Sequence, residues 1–290
     1  MSDRRRPSTP LPPRGLTTGA AALTALLLLT GCTAEPGAGT SATAGAAAAE
    51  PVLADDLEQL AVGVPGEFGL VLLGPDGDEL ASRAADRPFT SASFYKLFVA
   101  HAVLERVDRG ELALDDPVPG SALTVGHALA ATMSWSDNPS GAALGRWLGW
   151  AELEEFAHGH GFSATTFDPD AGDADRVAMT TTPADVAALL EHLRRGELLS
   201  PASTALFRQL LEDQQLDYAL PSGFSPGTAF AHKTGLLEDV SHDAGLLTLD
   251  GREHVVVVMT DGWAGYEDSR PWYRDTGAAL EAWLLDPART

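Results

Sequence analysis

Phe89-Thr90-Ser91-Ala92-Ser93-Phe94-Tyr95-Lys96-Leu97-Phe98-Val99-Ala100 opens the longest helical pattern in the chain, predicted over Ser93–Arg109 and stopped by Gly110. Within it, Ser93 and Lys96 are three residues apart. That spacing puts a hydroxyl and an amine on one helix face, where they can approach each other. The serine also falls near the helix N-terminus, where backbone amides favour developing negative charge. A serine hydroxyl is a weak nucleophile that needs an adjacent base, and a desolvated lysine can be one. Read alone, the same four residues are equally a helix cap followed by a surface lysine.

The rest of the chain makes that lysine informative. Positive charge is carried by seventeen arginines and only two lysines, Lys96 and Lys233. Lysine can shed its proton in a buried site and arginine effectively cannot. Lys233 opens Lys233-Thr234-Gly235, at the end of a strand predicted over Thr228–Lys233. Between the two lysines, and between two predicted helices, lies Ser136-Asp137-Asn138. Each motif has an ordinary reading by itself, a turn for the one and a strand terminus for the other. Their joint order, and the confinement of both lysines to them, is harder to account for that way.

Strands are predicted over Phe68–Leu73 and, after the Pro75-Asp76-Gly77 turn, over Glu79–Ala85. Strands recur in the last third over Thr228–Lys233, Asp239–Leu249 and Arg252–Thr260, the last two joined by the tight Asp250-Gly251 turn. Helical patterns fill the middle: Val125–Met133, Ser140–Leu148, Ala151–His158, Ala184–Arg194 and Ala202–Glu212, with Leu53–Val62 before the first strand and Tyr273–Leu285 at the end. Thr182 is a ready N-cap and Pro183 suits a first turn. Strands at both ends with helices between predict an α+β fold: an antiparallel sheet built from N- and C-terminal segments, flanked by helices, with an inserted all-helical lobe. A cleft between two such parts is the natural place for a site.

Composition removes several alternatives. The 290 residues are 44% hydrophobic, enough for a substantial core, and carry a formal charge of −22. No basic patch can be assembled to displace counterions from a polyanion, so nucleic-acid binding is excluded. One cysteine, Cys32, permits neither a disulfide framework nor a thiolate cluster within the chain. There is no G-x-x-x-x-G-K-[ST] loop, H-E-x-x-H helix or G-x-S-x-G elbow. His158-Gly159-His160 has no further ligand nearby at metal-site spacing and reads as a helix end, so no metal and no cofactor is expected.

Residues 1–31 read as an export signal. Arg4, Arg5, Arg6 and Arg14 precede an apolar run from Gly19 to Leu29 that is too short for a stable membrane span. The run closes on Leu29-Thr30-Gly31-Cys32, which resembles the bacterial lipobox, in which the cysteine becomes a lipid-modified N-terminus. Residues 32–52 are rich in Ala, Gly and Thr and read as a flexible tether, leaving 53–290 as the folded domain. Loss of the signal removes four arginines and one aspartate, so the remainder is more acidic still and an anionic lipid surface would repel it. Attachment would then rest on acyl chains at Cys32, placing the protein on the outer face of the cytoplasmic membrane.

Ordered S-x-x-K, S-D-N and K-T-G motifs are the signature of class A β-lactamases and penicillin-binding proteins. The chain resembles that family of serine hydrolases from about residue 53 to 288, with supporting similarity in Phe89–Ala92, in Thr180-Thr181-Thr182-Pro183 and in His232 ahead of Lys233. The resemblance implies a five-stranded antiparallel sheet beside a helical lobe. It implies that Ser93 is the acylated nucleophile, Lys96 its activating neighbour, and Ser136 the group that passes a proton toward the leaving nitrogen. Asn138 would hold the substrate amide and touch Lys96, with Asp137 mainly structural. Lys233 and Thr234 would face the substrate carboxylate, and Gly235 would leave room for backbone approach. The backbone N–H groups of Ser93 and Leu236 would form the oxyanion hole. The expected substrate is a β-lactam or a peptidoglycan stem peptide, and the expected state is monomeric.

The sequence also departs from the family pattern. The E-x-x-L-N loop, whose glutamate activates the deacylating water, is absent. Phe167-Asp168-Pro169-Asp170 looks like a shortened W-E-P-E, making Asp168 the candidate base and Asp170 the second choice, against the alternative of an acidic surface loop. The interval between S-x-x-K and S-D-N is short, which predicts a trimmed lobe. Asp243 stands where many members carry an arginine on the strand after K-T-G. Trp135, beside Ser136, is expected to pack the lobe in preference to lining the cleft. Acylation is the firmer expectation and deacylation the open one. The functional readings are therefore a β-lactamase-like hydrolase, a penicillin-binding D,D-peptidase or cell-wall hydrolase with slow deacylation, and a non-catalytic sensing lipoprotein.

Overall fold

Val255, Val256, Val257 and Val258 are consecutive and all fully buried, which requires a strand covered on both faces. The computed structural model describes residues 58–167 and 179–286, so Cys32, Asp168 and Asp170 lie outside the described residues. Its strands are β1 (Phe68–Leu73), β2 (Glu79–Arg83), β3 (Phe89–Thr90), β4 (Thr180–Thr181), β5 (Ala229–Leu237), β6 (Val240–Leu249) and β7 (Arg252–Thr260). Five of them form one sheet in the order β2-β1-β7-β6-β5, antiparallel throughout. β7 sits at its centre and pairs Val257 with Val71 of β1 and with Ala244 of β6. The sheet is thus built from both ends of the folded region, as expected.

The helices are α1 (Tyr95–Asp108), α2 (Val125–Ser134), α3 (Asn138–Leu148), α4 (Trp150–Gly159), α5 (Pro183–Arg195), α6 (Pro201–Glu212) and α7 (Arg270–Leu284). Strand side chains alternate between faces, and the cores divide accordingly. Leu70, Leu72, Val256 and Val258 pack with Tyr273, Leu280 and Leu284 of α7. Val71, Val255, Val257 and Met259 pack with Leu97, Phe98, Val186 and Leu190 from the helices on the other face. Gly69 allows α5 to sit close, because a Cβ there would fall 2.7 Å from Pro183 and 2.8 Å from Phe89. No helix among the described residues is long and apolar enough to cross a membrane.

Two expected elements differ in detail, and one short ladder was not expected. The predicted β5 stops at Lys233, whereas the strand continues through Thr234 and Gly235 to Leu237, because β6 pairs with it all the way to Val240. Ser93 does not lie inside the α-helix: a 3-10 turn over Ala92–Phe94 precedes α1. The pair Phe89–Thr90 and Thr180–Thr181 forms a two-residue ladder too short to leave any alternation in the sequence. Of the helix predicted over Leu53–Val62, residues 58–61 are described and helical. The Asp250-Gly251 turn has φ of +50° and +73°, the two positive values of the hairpin turn read from the sequence.

Candidate active site

The turn that carries Ser93 is held from three sides. Ser91 N–H donates to the Met179 carbonyl at 2.8 Å, Phe94 N–H closes the 3-10 turn onto Ser91 at 2.8 Å, and Ala92 takes φ of +46°. Residues three apart eclipse in a 3-10 turn, so the shift from α-helix preserves the alignment of Ser93 with Lys96. Beneath them Phe94 packs on His242 at 5.3 Å. Burial lowers the His242 pKa to about 4, so the ring is neutral. Its Nε2 lies 2.8 Å from the Thr90 carbonyl, and its Nδ1 lies 2.8 Å from the Ser241 carbonyl and 3.2 Å from Thr260 N–H. This ring ties the segment ahead of Ser93 to the sheet.

The S-D-N turn brings the second group. α2 ends at Ser134, Trp135 caps it, and Ser136 then adopts φ of +54°. Asp137 caps α3, its carboxylate accepting from Ser140 N–H at 2.8 Å and from Ser140 Oγ at 2.5 Å, so Asp137 has the structural part expected of it. Asn138 is the first helical residue and points back at Lys96. Left-handed backbone at Ala92 and Ser136 costs roughly 1–3 kcal/mol per residue. Burial of Phe94, Leu97 and Phe98 on the same turn and helix offsets it, at about 1.5–3 kcal/mol each.

Lys96 is fully buried, and its Nζ lies within hydrogen-bond distance of four oxygens: Ser93 Oγ at 3.1 Å, Ser136 O at 2.6 Å, Ser136 Oγ at 3.0 Å and Asn138 Oδ1 at 2.8 Å. Lys233, also fully buried, donates to Ser136 Oγ at 2.9 Å and to the Thr234 carbonyl at 2.8 Å. Burial lowers the Lys233 pKa to about 7, against an opposing attraction from Asp243. The result is an unbroken path of polar atoms, Ser93 Oγ to Lys96 Nζ to Ser136 Oγ to Lys233 Nζ.

β5 is an edge strand, so one side of its backbone faces away from the ladder. The Thr234 carbonyl is taken by Lys233 Nζ, which marks its backbone groups as pointing off the ladder. Backbone direction repeats every two residues, so the Leu236 N–H points the same way. At Gly235 a Cβ would lie 3.2 Å from His242 and 3.4 Å from Phe94, so the missing side chain lets β5 close on the packing beneath the Ser93 turn. Asp243 faces Thr234 across the ladder and is buried, bonded to His232 Nδ1 at 2.7 Å and to Leu220 N–H at 3.1 Å.

The described residues on either side of the acidic segment are well tied down. Phe167 is buried, stacks on Trp150 at 6.2 Å, and donates its N–H to Glu154 at 2.8 Å. Thr166 and Thr180 bridge through backbone bonds of 2.9 and 3.3 Å. Met179, which receives Ser91, is the first described residue after the segment.

Some participants have no sequence signature. Gly141 of α3 faces Lys96: a Cβ there would lie 2.8 Å from Tyr95 Oη and 3.1 Å from Lys96 Cε. Gln214 Nε2 and Gln215 N–H donate to the carbonyls of Met133 and Ser134 at 3.1 and 2.9 Å, fastening the loop after α6 to the end of α2. Trp135 corrects an expectation. It is 65% exposed and does not pack the lobe, because the left-handed turn at Ser136 directs the chain away from α2 just after it.

A buried serine–lysine pair, joined through a second serine to a second lysine at a sheet edge, is an arrangement suited to acyl transfer through serine. The profile of the β-lactamase enzyme family matches residues 52–284, and the chain belongs to that family. Its fold resembles a β-lactamase from Chitinophaga pinensis at 21% identity, covering 80% of this chain and 99% of that one with a TM-score of 0.73. It also resembles a β-lactamase from Xanthomonas campestris at 25% identity, covering 81% and 98% with a TM-score of 0.72. An acyl-enzyme complex of PBP-A with penicillin G is similar at 22% identity, covering 81% and 96% with a TM-score of 0.72.

Proposed function

We propose that the protein is a serine hydrolase that opens β-lactam amides through an acyl-Ser93 intermediate. The observation that carries this reading is the single path linking Ser93, Lys96, Ser136 and Lys233. Lys96, as the free amine, takes the Ser93 proton while Ser93 Oγ attacks the lactam carbonyl. The N–H groups of Ser93 and Leu236 stabilise the oxyanion, each such donor being worth about a hundredfold or more in rate. As the C–N bond breaks, the proton passes from Lys96 through Ser136 Oγ to the leaving nitrogen. Lys233 and Thr234 receive the substrate carboxylate, and Asn138 receives the side-chain amide. Water then cleaves the acyl ester, with Asp168 the candidate base. Steady-state consumption of benzylpenicillin by the purified chain tests this: turnover that disappears in Ser93→Ala supports it, and turnover retained in that variant contradicts it.

The missing E-x-x-L-N glutamate favours a second reading on the same chemistry, a penicillin-binding D,D-peptidase or cell-wall hydrolase acting on stem peptides. An adduct that forms on Ser93 and persists, with release of D-alanine from a D-Ala-D-Ala peptide, would select it. We also propose that the protein is exported and lipid-anchored through Cys32 on the outer face of the cytoplasmic membrane, supported by the Leu29-Thr30-Gly31-Cys32 sequence. Metabolic labelling with a fatty acid should be lost in Cys32→Ser; labelling retained there would contradict the anchor.

A further inference from the structure

Further along α1, His101 is fully buried, with ring contacts to Phe156 and His160 at 4.8 Å and to Phe162 at 6.2 Å. Neither of its ring nitrogens has a hydrogen-bond partner among the described residues. A neutral imidazole carries one N–H and one lone pair, and leaving such a group unpaired in the interior costs about 1–3 kcal/mol.

One turn on, Glu105 divides its two oxygens. Oε1 is paired with Arg109, while Oε2 lies 3.7 Å from His101 Nε2 and 2.8 Å from His160 Nε2. His160, at the end of α4, has its Nδ1 2.8 Å from the Phe156 carbonyl. A carbonyl only accepts, so Nδ1 carries a hydrogen and Nε2 is the atom turned toward the carboxylate oxygen. His101 beside this pair has no hydrogen-bond partner among the described residues, and a metal ion would engage all three groups.

We propose that His101, Glu105 and His160 bind one divalent transition-metal ion of the zinc type. The three ligand atoms lie within 4.8 Å of one another, wider than the roughly 3.3 Å between ligands on a tetrahedral ion with bonds of about 2.0–2.1 Å, so binding would draw the three groups together. The Nδ1–H to carbonyl bond of His160 is the kind of outer contact that orients a ligating imidazole. His160 and Glu105 are partly exposed, which gives the ion a way in and a place for a water ligand. Arg109 is the opposing charge, itself shared with Glu111; His192 is occupied with Glu197. The ion would join the end of α4 to the helix that begins at the Ser93 turn. His158, the other half of the histidine pair in the sequence, is turned to the Thr165 carbonyl at 3.0 Å and takes no part.

The full chain, stripped with chelator and titrated with Co²⁺, tests this. The proposal expects one equivalent of Co²⁺ with the visible d–d absorption of a four-coordinate site, displaced by Zn²⁺, and a thermal midpoint that rises with Zn²⁺. His160→Ala and Glu105→Gln should each weaken Co²⁺ binding by at least about tenfold, while His158→Ala leaves it unchanged. Circular dichroism of the metal-free variants establishes that they fold, and Glu105→Gln carries the test if His160→Ala does not. Absence of a stoichiometric site in the wild type, or binding that survives both substitutions as diffuse attraction to an acidic surface, would overturn the proposal.

Discussion

Lys96 and Lys233 share one hydroxyl: Ser136 Oγ lies 3.0 Å from the first ammonium nitrogen and 2.9 Å from the second. Residues separated by most of the helical lobe in sequence are thereby joined in one path to Ser93. Ser136 is held there by a left-handed backbone that few serines adopt, so its placement is a property of the fold and not of a mobile side chain.

Ser136→Ala removes the shared oxygen and takes one partner from each lysine. Loss of a positioned proton-transfer group predicts a fall in the acylation rate of about 10²–10⁴-fold. Stopped-flow acylation by a chromogenic β-lactam measures it. A rate within a factor of two of wild type would remove Ser136 from the proton path.

Lys233 gives a pH dependence with a definite sign. Its folded pKa is lowered from 10.5 to about 7 by burial. Between those values the unfolded chain holds a proton that the folded chain has shed, so this group makes unfolding free energy rise with pH across that window. Function runs the other way, because the ammonium that meets a substrate carboxylate is lost as pH rises through about 7. Acylation kcat/KM for a carboxylate-bearing β-lactam should therefore decline on the alkaline side, and Lys233→Arg should abolish that limb. A decline unaltered in Lys233→Arg would assign it elsewhere.

Gly141→Ala sets two effects against each other. Helix propensity alone favours alanine by about 1 kcal/mol. The new methyl would meet Tyr95 Oη at 2.8 Å and Lys96 Cε at 3.1 Å, and overpacking typically costs about 1–3 kcal/mol. Because one neighbour is the Lys96 amine proposed to take the Ser93 proton, the larger signature should be slower acylation, accompanied by a lower urea midpoint. A stabilised variant with normal acylation would show that the contact relaxes freely.

Asp168→Asn addresses deacylation. If Asp168 activates water, the variant should form its adduct at the wild-type rate and lose it about a hundredfold more slowly, with Asp170→Asn close to wild type. Equal adduct lifetimes in wild type and Asp168→Asn would make Asp168 a surface acid.

The sequence made the site's chemistry more legible than its geometry. Seventeen arginines against two lysines pointed to Lys96 and Lys233, and both are fully buried at one centre. Short apolar runs closed by turn residues located β1, β6 and β7, which are buried along almost their whole length. Gly235 hid the continuation of β5, since glycine normally signals a stop and here permits close packing. Gly141 and Ala92 carry no chemical signature at all; one matters through what it omits and the other through a backbone angle. His101 and Glu105 were indistinguishable from a helix interior until α4 brought His160 beside them.

The central claim is that Ser93 becomes acylated. Intact-protein mass spectrometry of the full chain, sampled over time after addition of benzylpenicillin, tests it most directly. The account predicts an increase of one penicillin per chain, located to the peptide containing Ser93 and absent from Ser93→Ala. An adduct that persists in Ser93→Ala, or a wild type that neither gains mass nor consumes the penicillin, would contradict it.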